Sequence, residues 1–309
     1  MANHILVRKT AVNPCAAFAS CGEGDGQAQN PLLFICAMTS RPRRPSLFSR
    51  LPYWLLAIAL LFVLGLWAIT ADETYSGIFQ KLTGGVLTTL WVTFIAFLAA
   101  TLLGLGVALA RTSNVRVLRE IATFYIEIIR GIPILVFLFY VAFVAAPAMV
   151  GAFNWVMAPL IEWGWVAPAT IRGFDFIWRA IFALTVCYSA FIAEIFRAGI
   201  EAVGRGQIEA ARSLGLSRWH CFRLIIFPQA LRTILPPLGN DFVSMVKDSA
   251  LVSALGVQDI TQLGKLSASS SFLFFETYNV VAFLYLTMTI TLSLLVRGLE
   301  RFMDSKVKR

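Results

Sequence analysis

Four ionisable side chains fall within stretches that are otherwise apolar, and they are the first candidates for chemistry. They are Glu194, Asp241, Lys247 and Asp248. A charged group in hydrocarbon is costly, so such residues normally face a cavity or a partner. Glu194 has Arg197 three residues further on, which allows a simple ion pair on one helix face. Asp241 and Lys247 are six residues apart, so we expect them to meet other helices instead of each other.

The remaining reactive residues do not form a catalytic pattern. The two histidines, His4 and His220, are far apart in the chain, and no His-Glu-x-x-His is present. The five cysteines form no Cys-x-x-Cys pair, so neither a zinc site nor a disulfide framework is indicated. The one Gly-Lys pair, at 264–265, lacks the upstream glycine of a phosphate-binding loop. We therefore expect no catalytic residue, no metal and no cofactor in this chain.

The composition indicates what surrounds these residues. Of 309 residues, 58% are hydrophobic and 14% are charged. Soluble domains have about 45–50% apolar and about 25% charged residues, so a water-soluble enzyme is nearly excluded and lipid is the expected surrounding. The net charge of +9 fits either nucleic-acid binding or the positive-inside bias of membrane proteins, and the location of the charges decides between them.

Several segments are long and apolar enough to cross the membrane as helices, which takes roughly 20 residues. These predicted spans are approximately 51–70, 84–110, 121–146, 179–197 and 277–296. The second of them carries small residues at intervals of four, which indicates close helix packing. This small-residue stripe consists of Ala96, Ala100, Gly104 and Ala108.

A sixth span follows from the distribution of charge. The loop 198–232 and the C-terminal segment 297–309 are both rich in Arg and Lys, so both should be cytoplasmic. An even number of crossings must then separate them, which places a further span at about 233–256. That segment is too polar to face lipid and should lie inside the bundle. Pro236, Pro237 and Gly239 predict that its early turns are broken.

Six spans with both termini in the cytoplasm put most of the Arg and Lys residues on the inner side. This arrangement explains the net charge without nucleic acid. The outer segment 147–179 contains four of the eight tryptophans. Two interpretations of it stay open: an interfacial hairpin, or a docking surface on the outer face.

The loop between the fourth and fifth spans has helical periodicity from Val203 to Leu214. Ile208, Ala211 and Leu214 fall on one side, with Arg205, Glu209 and Arg212 on the other. Gly215 suits the C-terminal cap, where a left-handed conformation favours glycine. Such an amphipathic helix could lie on lipid, fold back on its own bundle or enter a groove on a partner, and these alternatives stay open.

The same loop resembles the EAA signature of ABC importer permeases. The matching residues are Gly206, Gln207, Glu209, Ala210, Ala211, Gly215, Ile225 and Pro228, with Phe227 where leucine is usual. Arg130-Gly-Ile-Pro133 and Lys247-Asp-Ser-Ala-Leu251 further resemble the polar amino acid permeases.

The resemblance implies an all-α integral membrane protein with the type I ABC importer fold. Its permease domain would span 82–300, with the EAA loop at 201–228, and residues 51–70 would add an N-terminal helix to a five-helix core. Residues 1–50 are interpreted as a disordered basic extension, with Met38 as a candidate true start, and 301–309 as a basic tail.

The resemblance also implies partners and a function. Glu209, Ala210, Ala211 and Gly215 of the EAA loop would contact an ATPase dimer that carries ATP and Mg²⁺. A second permease chain, identical or homologous, and an extracytoplasmic amino acid-binding protein would complete an importer of polar L-amino acids in the bacterial inner membrane. Glu194, Asp241, Lys247 and Asp248 would lie along the substrate pathway. A secondary transporter or channel is the alternative, but it gives no reason for the EAA loop.

Overall fold

The computed structural model describes residues 53–305. The predicted extension 1–50, its candidate start at Met38 and residues 306–309 of the basic tail lie outside the described residues. All the regular structure within 53–305 is helical. The contacts discussed below lie within Ala57–Arg309, which forms one compact unit.

The α-helices of this part of the chain are numbered here in chain order. They are α1 Tyr53–Ala71, α2 Glu73–Arg111, α3 Arg116–Gly131, α4 Ile134–Tyr140, α5 Ala146–Val156, α6 Ala158–Glu162, α7 Phe176–Glu201, α8 Arg205–Ser213, α9 Arg218–Cys221, α10 Phe227–Asp248, α11 Ile260–Ser271 and α12 Phe274–Ser305. Two π-helical turns, Val141–Ala145 and Phe222–Ile226, join α4 to α5 and α9 to α10. Short 3₁₀ segments occupy Ile171–Gly173 and Ser249–Leu255.

Four helical segments in residues 53–305 are long and apolar enough to cross a membrane. They are Glu73–Arg111, Ile134–Val156, Phe176–Glu201 and Phe274–Met303. A shorter apolar stretch covers Leu56–Ala71. The polar helix α10 packs against α7, α12 and α2, as expected for a span inside the bundle. The fold is thus all-α, and it is compatible with six crossings.

The predicted small-residue stripe on α2 is confirmed as a packing surface. Ala96, Ala100 and Ala108 are fully buried, and α2 packs most extensively against α7. A Cβ at Gly104 would lie 2.9 Å from the carbonyl oxygen of Ser189 on α7. The two backbones therefore approach so closely that only glycine fits at this position.

The predicted third span, 121–146, is wrong in its position. The chain breaks at Ile132, which is extended (φ −100°, ψ 132°) before Pro133. Proline disfavours helical geometry in the residue before it, so α3 ends at Gly131 and a new apolar helical segment runs from Ile134 to Val156. The first ten residues of the predicted outer segment, 147–156, therefore belong to this apolar helical segment.

The predicted break at Pro236 and Pro237 is also wrong, because both prolines lie inside the continuous helix α10. A proline inside a membrane helix is tolerated where neighbouring groups can satisfy the freed carbonyls. Gly239 permits close packing instead of a break: a Cβ there would lie 2.6 Å from Cγ1 of Val296 on α12. The α-helix ends at Asp248, and the last residues of the predicted span, 249–255, form the 3₁₀ segment.

Candidate functional site

The predicted loop helix is present as α8, and Gly215 ends it. The Gly215 N–H donates to the Arg212 carbonyl (2.9 Å), and the Leu216 N–H donates to the Ala211 carbonyl (3.2 Å). This pair of bonds is a Schellman cap, which requires a left-handed residue at Gly215, where φ is +78°. No atom lies within 4 Å of a Cβ built there, so the backbone conformation alone favours glycine.

The two faces of α8 have different environments. Val203 is buried with Ala230 and Ile234 of α10, and Ile208 packs against this cluster. Ala211, which the resemblance places at the ATPase contact, is 1% exposed and is therefore buried on the side of the bundle. One face of the loop therefore folds back on its own bundle, which was one of the open alternatives.

The opposite face of α8 is open. Glu209 and Ala210 are exposed, and Glu209 forms no ion pair with any described residue. Leu214, expected on the packed side, is 82% exposed because α8 ends at Ser213 and Leu214 is already its C-cap. The exposed side of the loop thus combines a free carboxylate with small and apolar side chains.

The other motif residues connect α8 to α10. The Gln229 side-chain N–H donates to the Gln207 carbonyl oxygen at 2.6 Å, whereas Gly206 is exposed in the first turn of α8. Ile225 lies half-buried in the π-helical turn, and Pro228 occupies the start of α10. Pro228 has no N–H to donate, and the π-helical turn lies directly before it.

Glu194 lies among arginines near the end of α7. Its carboxylate pairs with Arg111, the last residue of α2, and with Arg197 at 2.8 Å. Arg130 of α3 is 4.0 Å away and stacks over the Phe191 ring. The ends of three helices meet at one carboxylate. The expected pair with Arg197 is therefore real, but it is one of several contacts.

Asp241 and Asp248 lie two turns apart on one face of α10. The Tyr188 hydroxyl of α7 donates to Oδ2 of Asp248 at 2.6 Å. Oδ2 of Asp241 is buried and has no hydrogen-bond partner among the described residues. Lys247 is exposed and forms no ion pair within residues 53–305, so it does not neutralise Asp241.

The structure thus separates the four predicted pathway residues into three environments: the arginine cluster around Glu194, the α7–α10 contact at Asp241 and Asp248, and the exposed Lys247. Sequence reasoning missed Tyr188 and Arg111. Arg111 is 83 residues from Glu194, and helical spacing carries no information at that separation. Tyr188 lies six residues before Glu194 in a predicted span. A phenol hydroxyl in an apolar segment is the sequence signal that could have identified it.

Comparisons with known proteins show the family to which the chain belongs. Residues 100–309 match the family described as "Binding-protein-dependent transport system inner membrane component". The glutamine transport system permease protein GlnP of Escherichia coli strain K12 is 34% identical over 219 residues, covering 71% of this chain and 91% of that protein. The probable glutamine ABC transporter permease protein GlnM of Bacillus subtilis strain 168 is 35% identical over 226 residues, covering 73% and 94%.

A solved structure is similar as well. The crystal structure of an amino acid ABC transporter with histidines contains a chain 36% identical to this one, with a TM-score of 0.61, covering 75% of this chain and 97% of that chain. The resemblance to amino acid ABC permeases found in the EAA loop is thereby confirmed. This chain belongs to the family of binding-protein-dependent transport system inner membrane components.

Proposed function

We propose that this chain is the permease subunit of an ATP-driven ABC importer that moves polar L-amino acids across the bacterial inner membrane by alternating access. An ATPase dimer that binds ATP and Mg²⁺, a second permease chain and an extracytoplasmic amino acid-binding protein complete the transporter. Both termini are cytoplasmic. The names of the similar proteins, which transport glutamine or other amino acids, support this substrate class.

The exposed face of α8 is the observation that carries the proposal. A helix that buries Ala211 and presents Ala210, Glu209 and Leu214 has a fixed orientation and an unpartnered side. Small side chains allow a partner to approach closely, and the free Glu209 carboxylate offers a charge to a basic residue of that partner. This face fits an amphipathic helix that docks in a groove of another protein.

The substrate pathway in this proposal runs beside α10. Asp241 and Asp248 supply carboxylates that can attract the ammonium group of an amino acid, whereas the carboxylate of Glu194 is already paired with Arg111 and Arg197. Because the buried Oδ2 of Asp241 lacks a partner among the described residues, a ligand group or water would satisfy it.

The exposure of Lys247 supports a second permease chain. A lysine that faces hydrocarbon is costly, whereas one that faces a neighbouring chain or an aqueous pathway is not. Its exposure in this single chain is consistent with a partner beside α10 that covers it.

Paired cysteine variants test the contact with the ATPase. We expect a cysteine at Ala210 to crosslink to a nucleotide-hydrolysing protein in native membranes. A cysteine at Ala211, one residue away and buried against the bundle, should not crosslink. Equal labelling of both positions, or labelling by lipid reagents only, would contradict the proposed docking face.

Reconstituted vesicles test the coupling. With the binding protein present, uptake of a labelled polar amino acid should require the ATPase and ATP, and it should stop when either is omitted. Uptake that persists without the ATPase would favour a secondary transporter or channel.

A further inference from the structure

The helix α10 has one polar face and one apolar face. At a rotation of about 100° per residue, the polar side chains from position 233 onward fall within about one third of the helix circumference. These residues, which define the polar face of α10, are Thr233, Asn240, Asp241, Ser244, Lys247 and Asp248. The rest of the circumference is apolar, and Ile234, Met245 and Val246 are buried there.

Packing turns the polar face of α10 away from the rest of the bundle. On one flank of the helix, a Cβ on Gly199 of α7 would clash with the Ile234 side chain, and on the other flank Gly239 packs tightly against α12. On the polar face, by contrast, Asn240 and Lys247 are exposed. Polar groups at membrane depth are costly in lipid, so this face borders an aqueous pathway or another chain.

The polar face carries more negative than positive charge. It has two carboxylates, Asp241 and Asp248, and one ammonium group, Lys247, which leaves a net charge of −1. None of the three forms an ion pair with a residue in the described part of the chain. The Tyr188 hydroxyl donates to Asp248, but it contributes no positive charge.

The neighbouring arginines do not supply the missing cation. Arg232, the next cation along α10, lies nine residues before Asp241, which is about 14 Å of helix rise. The arginines of the other helices nearby, Arg111, Arg130 and Arg197, are gathered around Glu194. The charge of the polar face is therefore left for a ligand to balance.

We infer that the polar face of α10 binds a cationic amino acid. Lys247 pairs with its α-carboxylate, Asp248 with its α-ammonium group and Asp241 with its side-chain cation. Asp241 lies six and seven residues before the other two, about 10 Å along the helix, so a long side chain such as that of arginine or lysine is needed to reach it. This inference rests on the proposed function, in which the substrate pathway runs beside α10.

Charge is what selects the substrate at this face. A cationic amino acid has a net charge of +1, which balances the face, whereas glutamine would leave the carboxylate of Asp241 uncompensated. An uncompensated charge in a partly buried site is costly. The buried Oδ2 of Asp241, which has no partner among the described residues, accepts a charge-assisted hydrogen bond from the guanidinium or ammonium group of the substrate.

Equilibrium binding to the purified transporter tests this selectivity. The full-length chain with its accompanying subunits is used without the binding protein, so that the selectivity of the binding protein does not contribute. The probes are radiolabelled L-arginine and L-glutamine, and we expect L-arginine to bind about tenfold more tightly or better. Equal affinity, or tighter binding of L-glutamine, would overturn the inference. Absence of binding of both would also overturn it and would assign the polar face to the second chain alone.

Charge-removing variants test the individual contacts. Asp241→Asn should lower the affinity for L-arginine about tenfold and change that for L-glutamine by less than about twofold, because only arginine has a cationic side chain. Lys247→Gln should weaken both amino acids by a similar factor, since both have an α-carboxylate. Glu201→Gln is the control: it also removes one carboxylate, from the mostly exposed end of α7, and should leave both affinities unchanged.

The outcomes separate this inference from the proposed function. If Asp241→Asn weakens both amino acids equally, or neither, Asp241 does not select for charge and the inference fails. Thermal unfolding of the same preparations shows whether each variant is folded, and the comparison of the two amino acids on the unmodified transporter needs no variant. The proposed function fails by a different result, namely uptake into vesicles that needs no ATPase.

Discussion

The phenol of Tyr188 and the carboxylate of Asp248 form a hydrogen bond of 2.6 Å although 60 residues separate them in the chain. Tyr188 is buried in α7, and Asp248 is the last residue of α10, where the α-helix gives way to the 3₁₀ segment. The bond therefore fixes the end of α10 against the most buried helix of the bundle.

Two substitutions separate the charge of Asp248 from its hydrogen bond. Asp248→Asn keeps an acceptor for Tyr188 but removes the charge, whereas Tyr188→Phe removes the donor and keeps the charge. If the charge serves transport, Asp248→Asn should lower ATP-driven uptake about tenfold or more with little loss of stability. Tyr188→Phe should lower thermal stability by about 1–3 kcal/mol. Uptake and thermal unfolding of the purified transporter measure the two effects, and normal uptake by Asp248→Asn would remove Asp248 from the pathway.

The cluster around Glu194 should be a stability element. Glu194→Gln leaves Arg111 and Arg197 without their carboxylate in a partly buried site, and we expect a loss of about 1–3 kcal/mol. Glu201→Gln is the control, because Glu201 is mostly exposed and pairs with Arg197 alone. Its loss should be at most about 1 kcal/mol. Thermal unfolding in detergent distinguishes them, and equal losses would show that Glu194 is no more important than a surface pair.

Gly215 should tolerate no side chain, for conformational reasons. Gly215→Ala places a Cβ on a residue with φ +78°, which costs about 1–2 kcal/mol and loosens the cap of α8. We expect weaker coupling, seen as a lower ratio of amino acid imported to ATP hydrolysed. Gly206→Ala, in the first turn of the same helix with open space at its Cβ, should keep the normal ratio. A normal ratio in Gly215→Ala would mean that the cap is not needed for coupling.

Gly104 should be irreplaceable for reasons of space. A Cβ at this position would lie 2.9 Å from both the Ser189 carbonyl oxygen and Cγ2 of Ile192, so Gly104→Ala must push α2 away from α7. The expected loss of stability is about 1–3 kcal/mol. Gly84→Ala meets no atom within 4 Å and should be neutral or stabilising by up to about 1 kcal/mol. Thermal unfolding of Gly104→Ala and Gly84→Ala measures these two changes in stability.

Lys247 gives a test of the second permease chain. If a second copy covers α10, a cysteine at position 247 should form a disulfide or a short bifunctional crosslink between chains in native membranes. Leu102 is 73% exposed on α2, and a cysteine there is the control that should stay monomeric. Crosslinking of both variants would indicate random collision and not an interface. A homologous second chain would leave Lys247→Cys without a self-crosslink, so the same variant is also analysed for crosslinks to other membrane proteins.

Much of the architecture could be predicted because membrane helices have a strong compositional signal. The apolar segments, the stripe on α2 and the cap at Gly215 all depend on residues close together in sequence. The two wrong predictions both concern the effect of proline on a helix. Pro133 ends a helix as the rule for the preceding residue requires, although hydropathy runs across it. Pro236 and Pro237 do not end α10, because packing against α7 and α12 holds that helix together.

The contacts around the candidate site could not be predicted in the same way. Arg111 meets Glu194 because α2 ends beside α7 about two turns before α7 itself ends, and Tyr188 meets Asp248 because α7 and α10 pack together there. Neither pair is related by a helical spacing that could be recognised in the sequence. Likewise, the amphipathic pattern of α8 left its docking surface undecided, and only the burial of Ala211 beside the exposure of Ala210 distinguishes the two faces.

The helical run from Arg218 to Leu255, through α9, the π-helical turn, α10 and the 3₁₀ segment, is uninterrupted. Gln229 joins its lower part to the loop helix through Gln207, and Asp241 and Asp248 lie near its far end. The loop contact and the two carboxylates therefore belong to one continuous stretch of backbone. A displacement of the loop helix would pass along it toward Asp241 and Asp248, with the π-helical turn and the prolines as the points at which it could bend.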